Sequence, residues 1–156
     1  MVERSMNQYE IADVLDKFKK IELNRLQAEV EKATENGRYV LVIDGNENAN
    51  VFFSYKANLK EFHKECLAVQ LNHKSKEDAL ETLRKGIVQA MRFGTSFVID
   101  VDRIVPNFKT EWTSKDTFPT AEICDFDSWR LRKNYMKVVR PEEDHDVTGN
   151  PKGYVM

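Results

Sequence analysis

Two short runs of consecutive apolar residues stand out from the polar sequence, and an aspartate follows each of them. The first run is residues 39–43 (YVLVI), which turns at Asp44, and the second is residues 97–99 (FVI), which ends at Asp100. Continuous apolar runs of this length are typical of strands that are buried on both faces of a parallel sheet. Ligands of such sheets bind beyond the carboxyl ends of the strands, so both aspartates are candidate site residues.

A helical pattern precedes the first run. From about residue 7 to residue 35, apolar residues recur at three- and four-residue steps, and Gly37 then supplies a helix stop. One helix of this length would be roughly 40 Å long, which exceeds one face of a small sheet. Its first half therefore either projects and packs on a partner or lies on its own domain.

The segment between the two runs predicts further elements. Residues 51–55 form either the second strand of a hairpin or the first turns of a helix, and residues 67–71 (LAVQL) predict a short strand. Ser75 is placed to cap a second helix that Gly94 ends. Beyond Asp102 we expect a loop to about residue 120 and then mixed or helical structure.

These patterns predict an α/β fold, with a mostly parallel sheet flanked by helices and a long N-terminal helix. We divide the chain into the helix at residues 1–37, an α/β domain at residues 38–140 and an acidic, turn-rich tail at residues 141–156. Residues 154–156 look like the start of a strand that a neighbouring chain completes by strand addition.

The composition narrows the class of protein. The 156 residues are 41% hydrophobic and 32% charged, which fits one globular domain with a real core. The net charge of −2 gives no general attraction to nucleic acid or to an anionic membrane. No apolar run approaches the roughly 20 residues that span a bilayer, and no secretory signal pattern is present. Cys66 and Cys124 are too few for a disulfide framework, so we expect a cytoplasmic protein.

The loop after the first run has the position of a phosphate-binding P-loop but lacks its chemistry. A P-loop needs glycines, a lysine for the phosphate charge and a Ser or Thr for magnesium. Aligned on Gly45, those positions hold Asn50, Val51 and Phe52. We therefore expect a degenerate P-loop-NTPase-like fold in which the vestigial loop of Asp44, Gly45, Asn50 and Val51 binds neither ATP nor GTP. Val51 and Phe52 would fill the phosphate position.

An enzymatic alternative depends on the strand-end aspartates. Asp100 ends a strand of Walker B form, and the pair Asp100 and Asp102 is similar to the strand-end nucleophile and acid of haloacid-dehalogenase-type phosphatases. Arg103 and Ile104 follow where that family has a small residue and Thr or Val. The other interpretation of Asp100 is a turn or helix cap. The alternative function is a magnesium-dependent enzyme acting on phosphates, an NTPase, kinase or phosphatase, that uses Asp44, Asp100 or Asp102.

Two other groups of residues carry weaker chemistry. His63 and Cys66 are three apart, but without a carboxylate at suitable spacing they make a poor zinc site, so Cys66 is predicted to be a small core residue. Residues 129–140 interleave aromatic and basic side chains, which either bind phosphates or an acidic protein surface or form a solvated helix face. In the second case Trp129 and Tyr135 point inward.

Three segments of the chain resemble parts of a domain that is found in one protein family. They are residues 58–69, Lys76–Phe93 and residues 135–143. The domain is the P-loop-NTPase-like one at the C-terminal end of eukaryotic IQ-motif and ankyrin-repeat-containing proteins, and the resemblance spans residues 39–156. It implies a degenerate nucleotide-binding fold within a larger scaffold that is associated with cilia. This chain has no ankyrin repeat and no complete IQ motif, so calmodulin binding is not implied.

The residues and the resemblance together predict a non-catalytic structural or interaction protein. We expect it in a larger cytoskeletal assembly, such as the ciliary axoneme. The predicted contacts with partner proteins are the N-terminal helix and the C-terminal strand, and no nucleic acid or membrane partner is expected.

Overall fold

A two-stranded parallel sheet lies between two groups of helices in the computed structural model, which describes residues 17–145 and 153–154. Seven α-helices and three short 3-10 helices accompany the sheet in these ranges. In chain order the elements are a 3-10 turn at Leu23–Arg25, α1 Leu26–Glu35, α2 Asn48–Lys56, β1 Ala57–Glu61, α3 Phe62–Gln70, α4 Lys76–Phe93, β2 Ser96–Asp100, α5 Thr120–Ile123, α6 Phe126–Trp129, α7 Arg132–Tyr135, and 3-10 turns at Met136–Val138 and Pro141–Glu143.

The register of the sheet aligns the carboxyl ends of its strands. β1 and β2 are parallel, with Ala57 opposite Ser96 and Glu61 opposite Asp100. Helices α3 and α4 form the connection between them, as a parallel pair requires. The predicted α/β class and the parallel strand pairing are confirmed.

Alternate residues of β2 face different helical layers, as the period of a strand requires. Phe97 and Ile99 pack against the larger core, whereas Val98 packs with Leu59 of β1 against the smaller one. The smaller core is formed by Leu26, Ala49 and Phe53. The larger core consists of Phe62, Cys66, Ala79, Leu80, Leu83, Ile87, Val88, Met91, Trp112, Phe118, Trp129, Tyr135, Val138 and Val139. The sheet is therefore covered on both faces, and the predictions that Cys66, Trp129 and Tyr135 lie in the core are confirmed.

Helix α4 begins and ends where the sequence predicts. The Ser75 hydroxyl oxygen accepts the Asp78 amide at 3.0 Å, and Gly94 takes the left-handed conformation at φ 62°. A Cβ atom on Gly86 would lie 2.7 Å from both the Lys60 Cε and the Phe97 Cε2 atoms. The missing side chain therefore allows close packing of α4 on the sheet.

A buried arginine ties α4 to the end of the described chain. All five N–H groups of Arg84 are used: two on the Glu81 carboxylate, two on the Glu143 carboxylate and one on the Val138 carbonyl oxygen, at 2.6–2.9 Å. The hydrogen bonds from Arg84 are the largest cause that lowers the pKa of Glu143 to about 2. The acidic segment predicted as a tail is thus docked through its 3-10 turn.

Two predicted strands are wrong, and one strand was not predicted. Residues 39–43 belong to no strand, and residues 67–71 form the end of α3 and the turn that follows it. The strand paired with β2 is instead Ala57–Glu61, whose sequence ANLKE lacks the β-branched and aromatic residues typical of strands. A five-residue apolar pattern does not separate a buried strand from a helix end, because a strand also needs a neighbour for its ladder of hydrogen bonds.

The long N-terminal helix and the C-terminal strand are not found in the described ranges. Helix α1 has ten residues, and residues 17–22 before the turn at Leu23–Arg25 are not helical. Phe18, Ile21 and Leu23 are exposed, so no packed surface supports a helix there. The predicted portion before residue 17 lies outside the described residues, as do residues 155–156. Tyr154 lies in no strand; its ring approaches that of Tyr135 at 6.1 Å between centroids.

None of the helices in the described ranges has both the length and the apolar character needed to cross a membrane.

Candidate functional site

The carboxyl edge of the sheet brings together Glu61, His63 and Asp100. Glu61 is the last residue of β1 and lies opposite Asp100, the last residue of β2. His63 is the second residue of α3, which begins directly after β1. One potential ligand atom from each residue lies within 4.8 Å of the other two. The cluster is a consequence of the parallel register, and it occupies the edge at which α/β sheets bind ligands.

The Asp100 carboxylate is held in place by hydrogen bonds on both oxygens. Its Oδ2 atom accepts the Asn50 side-chain amide of α2 at 3.0 Å, and its Oδ1 atom accepts the Asp102 backbone amide at 2.9 Å. The side chain is mostly buried. Its orientation is thus fixed by α2 on one side and by the turn after β2 on the other.

His63 presents a nitrogen atom to this carboxylate without making a hydrogen bond to it. The Nδ1 atom lies 3.4 Å from the Asp100 Oδ2 atom, close enough for charge attraction. The orientation does not satisfy hydrogen-bond geometry, so the buried Nδ1 atom has no hydrogen-bond partner among the described residues. A buried polar atom left in this way costs about 1–3 kcal/mol, which makes the unpartnered nitrogen notable.

Glu61 contributes a second, more exposed carboxylate. Its Oε1 atom lies 2.7 Å from the Lys64 ammonium, one turn along α3. The hydrogen bond from Lys64 is the largest cause that lowers the pKa of Glu61. The carboxylate is therefore ionised at neutral pH, and the edge offers carboxylate oxygens beside an imidazole nitrogen.

Asp44, predicted as part of a vestigial nucleotide loop, has a structural role at the start of α2. Its carboxylate oxygens accept the Asn46 amide at 2.9 Å and the Ala49 amide at 2.6 Å. The hydrogen bond from Ala49 is the largest cause that lowers the pKa of Asp44. In a P-loop the amides at this position bind phosphate. Here the chain's own carboxylate takes two of them.

The other residues of the predicted loop lie in different surroundings and do not form one site. Asn50 reaches the sheet edge through its bond to Asp100. A Cβ added to Gly45 would have no atom of the described residues within 4 Å apart from its own and its chain neighbours', so these surroundings do not require a glycine. Val51 is 61% exposed, whereas Phe52 is half-buried against the smaller core. That these two side chains fill a phosphate position stays a prediction.

Asp102 joins the edge only through its backbone amide. It is exposed and takes the left-handed conformation at φ 48°. The residues that accompany Asp100 are instead Glu61 and His63, of which Glu61 was not predicted at all. Their separation by one residue at a strand-to-helix junction was the available signal, but it has meaning only once β1 is known to end there.

A second feature is the apolar run at residues 39–43, here called the 39–43 segment. Its five side chains are between 37% and 72% exposed. Among the described residues, none of its backbone N–H or C=O groups makes a hydrogen bond. The segment is nevertheless held at both ends. The Tyr39 hydroxyl donates to the Ile123 carbonyl oxygen at 2.6 Å, and the Asp44 carboxylate accepts a hydrogen bond from the Ala49 amide in the first turn of α2.

The Tyr39 anchor is partly desolvated. Its ring meets that of Phe126 edge-on, with 5.2 Å between centroids. Burial is the largest cause that raises the pKa of the Tyr39 hydroxyl to about 12, so the hydroxyl stays protonated as a donor at neutral pH. The 39–43 segment is thus a connection that is held at both ends and whose apolar side chains contact solvent.

Comparison of the chain with family models, curated proteins and solved structures finds no match. The fold itself defines the class, an α/β domain with a parallel sheet covered on both faces. The sheet edge at Asp100 and the 39–43 segment are the two features from which function is inferred.

Proposed function

We propose that the protein is a non-catalytic interaction protein that binds a partner protein through the 39–43 segment. The observation that carries this proposal is a run of five apolar residues whose side chains are exposed and whose backbone groups have no hydrogen-bond partner among residues 17–145 and 153–154. Pairing with the edge of a sheet in another chain would give those backbone groups hydrogen-bond partners, and it would also cover the exposed side chains.

The composition of the segment favours a strand as its occupant. All five residues are apolar, without the alternation of a strand that has one solvated face. A strand of this kind belongs inside a sheet that is covered on both faces, so the partner is expected to offer the open edge of such a sheet. Because the segment is held at Tyr39 and Asp44, less conformational entropy is lost on binding than for a free peptide.

The setting of this interaction is proposed to be a larger cytoskeletal assembly in the cytoplasm, such as the ciliary axoneme. The support is the resemblance of residues 39–156 to the C-terminal domain of IQ-motif and ankyrin-repeat-containing proteins. A degenerate P-loop-like character is supported by Asp44, whose carboxylate accepts the amides of Asn46 and Ala49 that a phosphate would need. The segments before residue 17 and after residue 154 remain further proposed contacts.

The proposal is tested by charge substitution in the 39–43 segment. Leu41→Asp places a charge where the partner's sheet would lie, and Leu67→Asp, at a similarly exposed leucine on α3, is the matched control. The full-length variants are used to co-purify proteins from source cells, and each recovered partner is then purified and titrated against them. Loss of binding in Leu41→Asp alone supports the proposal, and equal binding by both variants contradicts it.

Hydrogen exchange locates the contact on the chain. The amides of the 39–43 segment should exchange rapidly in the isolated protein and become protected when the purified partner is added. Slow exchange in the isolated monomer would contradict the proposal. A dimer that Leu41→Asp dissociates would identify a second copy of the chain, not another protein, as the occupant.

Binding of nucleotide tests the non-catalytic part of the proposal. Calorimetry with ATP and GTP, with and without magnesium, should show no saturable binding. Micromolar, magnesium-dependent nucleotide binding that Asp100→Asn abolishes would contradict this part of the proposal and favour the phosphate-acting alternative.

A further inference from the structure

We infer that Glu61, His63 and Asp100 form a binding site for one divalent cation of the Zn²⁺ class. The proposed ligands are the His63 Nδ1 atom and one carboxylate oxygen each from Glu61 and Asp100. The site is separate from the 39–43 segment, and its occupation does not depend on the proposed protein interaction.

The separation of the two inner ligands fits a shared cation. Two ligand atoms about 2.1 Å from a tetrahedral metal ion lie about 3.4 Å apart. The His63 Nδ1 and Asp100 Oδ2 atoms are separated by 3.4 Å. One Glu61 carboxylate oxygen lies within 4.8 Å of both. Rotation of this exposed side chain, which is paired with Lys64, would bring it closer to a shared cation.

The His63 Nδ1 atom has the burial and the surroundings of a metal ligand. In a simple ion pair the protonated Nδ1 would donate a hydrogen bond along its N–H direction to Asp100. The buried Nδ1 atom is close to the Asp100 carboxylate but makes no such bond. Coordination of a cation by the Nδ1 atom would give this buried nitrogen the partner that it lacks among the described residues.

The residues around Asp100 match the surroundings of a metal ligand. Carboxylates that bind metals are usually oriented by hydrogen bonds from neighbouring groups. Asp100 receives one from the Asn50 side-chain amide and one from the Asp102 backbone amide. Each oxygen keeps a second lone pair, so these hydrogen bonds orient the carboxylate without preventing coordination.

The ligand set selects among cations. Two carboxylates alone would suit Mg²⁺ or Ca²⁺, but an imidazole nitrogen favours transition metals and Zn²⁺. Affinity at mixed nitrogen and oxygen sites generally rises from Mn²⁺ to a maximum at Cu²⁺ and is lower for Zn²⁺, which still binds more tightly than Mn²⁺. We therefore expect the full-length protein to bind Zn²⁺ more tightly than Mn²⁺, and Mn²⁺ more tightly than Mg²⁺.

Calorimetric titration of the full-length protein with Zn²⁺ tests the site. The expected result is one saturable Zn²⁺ site that is weakened at least about tenfold by His63→Gln, by Asp100→Asn and by Glu61→Gln. Asn50→Ala, which removes only an orienting hydrogen bond, should weaken binding about tenfold. His73→Gln, at an exposed histidine elsewhere, is the control and should bind like the wild type. Circular dichroism of each variant verifies that it is folded.

Cobalt substitution separates this site from binding by thiols. The Co²⁺ spectrum should show nitrogen and oxygen ligands without the intense thiolate band that Cys66 or Cys124 would give. The inference is overturned by a thiolate band, by Mg²⁺ binding more tightly than Zn²⁺, or by Zn²⁺ affinity unchanged in folded His63→Gln and Glu61→Gln. Absence of saturable binding up to about 1 mM Zn²⁺ overturns it as well. None of these results affects the binding test with Leu41→Asp, so the two proposals fail independently.

Discussion

Replacement of Arg84 by methionine is expected to destabilise the protein strongly. The Arg84 side chain is 1% exposed, and it donates to Glu81, to Glu143 and to the Val138 carbonyl oxygen. Methionine fills much of the volume but removes the Arg84 donors from two partly buried carboxylates and one carbonyl oxygen. Breaking a buried ion pair on one side costs about 3–5 kcal/mol, so a loss of that size in the free energy of unfolding is expected.

The chain provides a matched control on the same acceptor. Arg140 also contacts Glu81, at 2.6 Å, but its side chain is 46% exposed. Arg140→Met should cost no more than about 1 kcal/mol, because an exposed ion pair is screened by solvent. Urea unfolding followed by circular dichroism measures both variants. Similar losses for Arg84→Met and Arg140→Met would refute the argument that burial makes the Arg84 contacts important.

Acid titration examines the same contact from the side of Glu143. Its pKa is lowered from 4.5 to about 2 in the folded protein, chiefly by the hydrogen bonds from Arg84. A lowered folded-state pKa stabilises the protein above the unfolded-state value, and that stabilisation is lost as the pH falls from about 4.5 through about 2. The difference corresponds to an upper bound of about 3.4 kcal/mol, and solvent contact of the side chain reduces it to on the order of 1–2 kcal/mol.

The comparison that isolates this effect is between the wild type and Glu143→Gln. Wild-type stability should exceed that of the variant at pH 6, and the difference should shrink steadily below pH 4.5. Urea unfolding at a series of pH values measures it. A difference that does not change with pH would show that the charge of Glu143 is not the source of its contribution.

Two further changes examine helix α4. Gly86→Ala should destabilise the protein by about 1–3 kcal/mol in urea unfolding, because the new methyl group would collide with the Phe97 ring. This cost outweighs the gain of up to about 1 kcal/mol in helix propensity. A stabilised variant would contradict the close packing of α4 on the sheet. Ser75→Ala should lower the free energy of unfolding by about 1 kcal/mol, because it removes the acceptor for the Asp78 amide. Ser75→Asp should retain most of the stability, since aspartate also caps helices. Equal losses in the two variants would count against the cap.

The elements that were predictable from the sequence are those with local causes. Helix α4 has its own capping residue, its own apolar face and a glycine stop, so no distant contact was needed to define it. Strand β2 is a short apolar run between polar residues and was also predicted. Strand β1 was not, because ANLKE forms a strand through its pairing with β2 and through its burial between two cores. The partner strand β2 lies almost forty residues further along the chain.

In the candidate site, too, the residue with a local signal in the sequence was predicted and the residues that depend on strand pairing were not. Asp100 was predicted because it ends a recognisable strand. Glu61 and His63 were not assigned to the same edge, because the register that places Glu61 opposite Asp100 cannot be derived without β1. From the sequence, His63 and Cys66 made a poor zinc site because no carboxylate had suitable spacing. The structure, however, places the Glu61 and Asp100 carboxylates beside His63. Sites assembled from strand ends need the strand pairing before they can be predicted.

The wrong prediction for residues 39–43 has a physical explanation that can be tested. The composition is that of a strand buried on both faces, but within the described residues the side chains remain exposed. Full burial of one such side chain would contribute about 1.5–3 kcal/mol, which the isolated chain does not gain at Leu41. Leu41→Asp should therefore change the free energy of unfolding of the isolated protein by no more than about 0.5 kcal/mol, while it weakens binding to the partner. Destabilisation of the isolated chain by more than about 2 kcal/mol would instead place Leu41 in its own core, as the sequence pattern alone suggests.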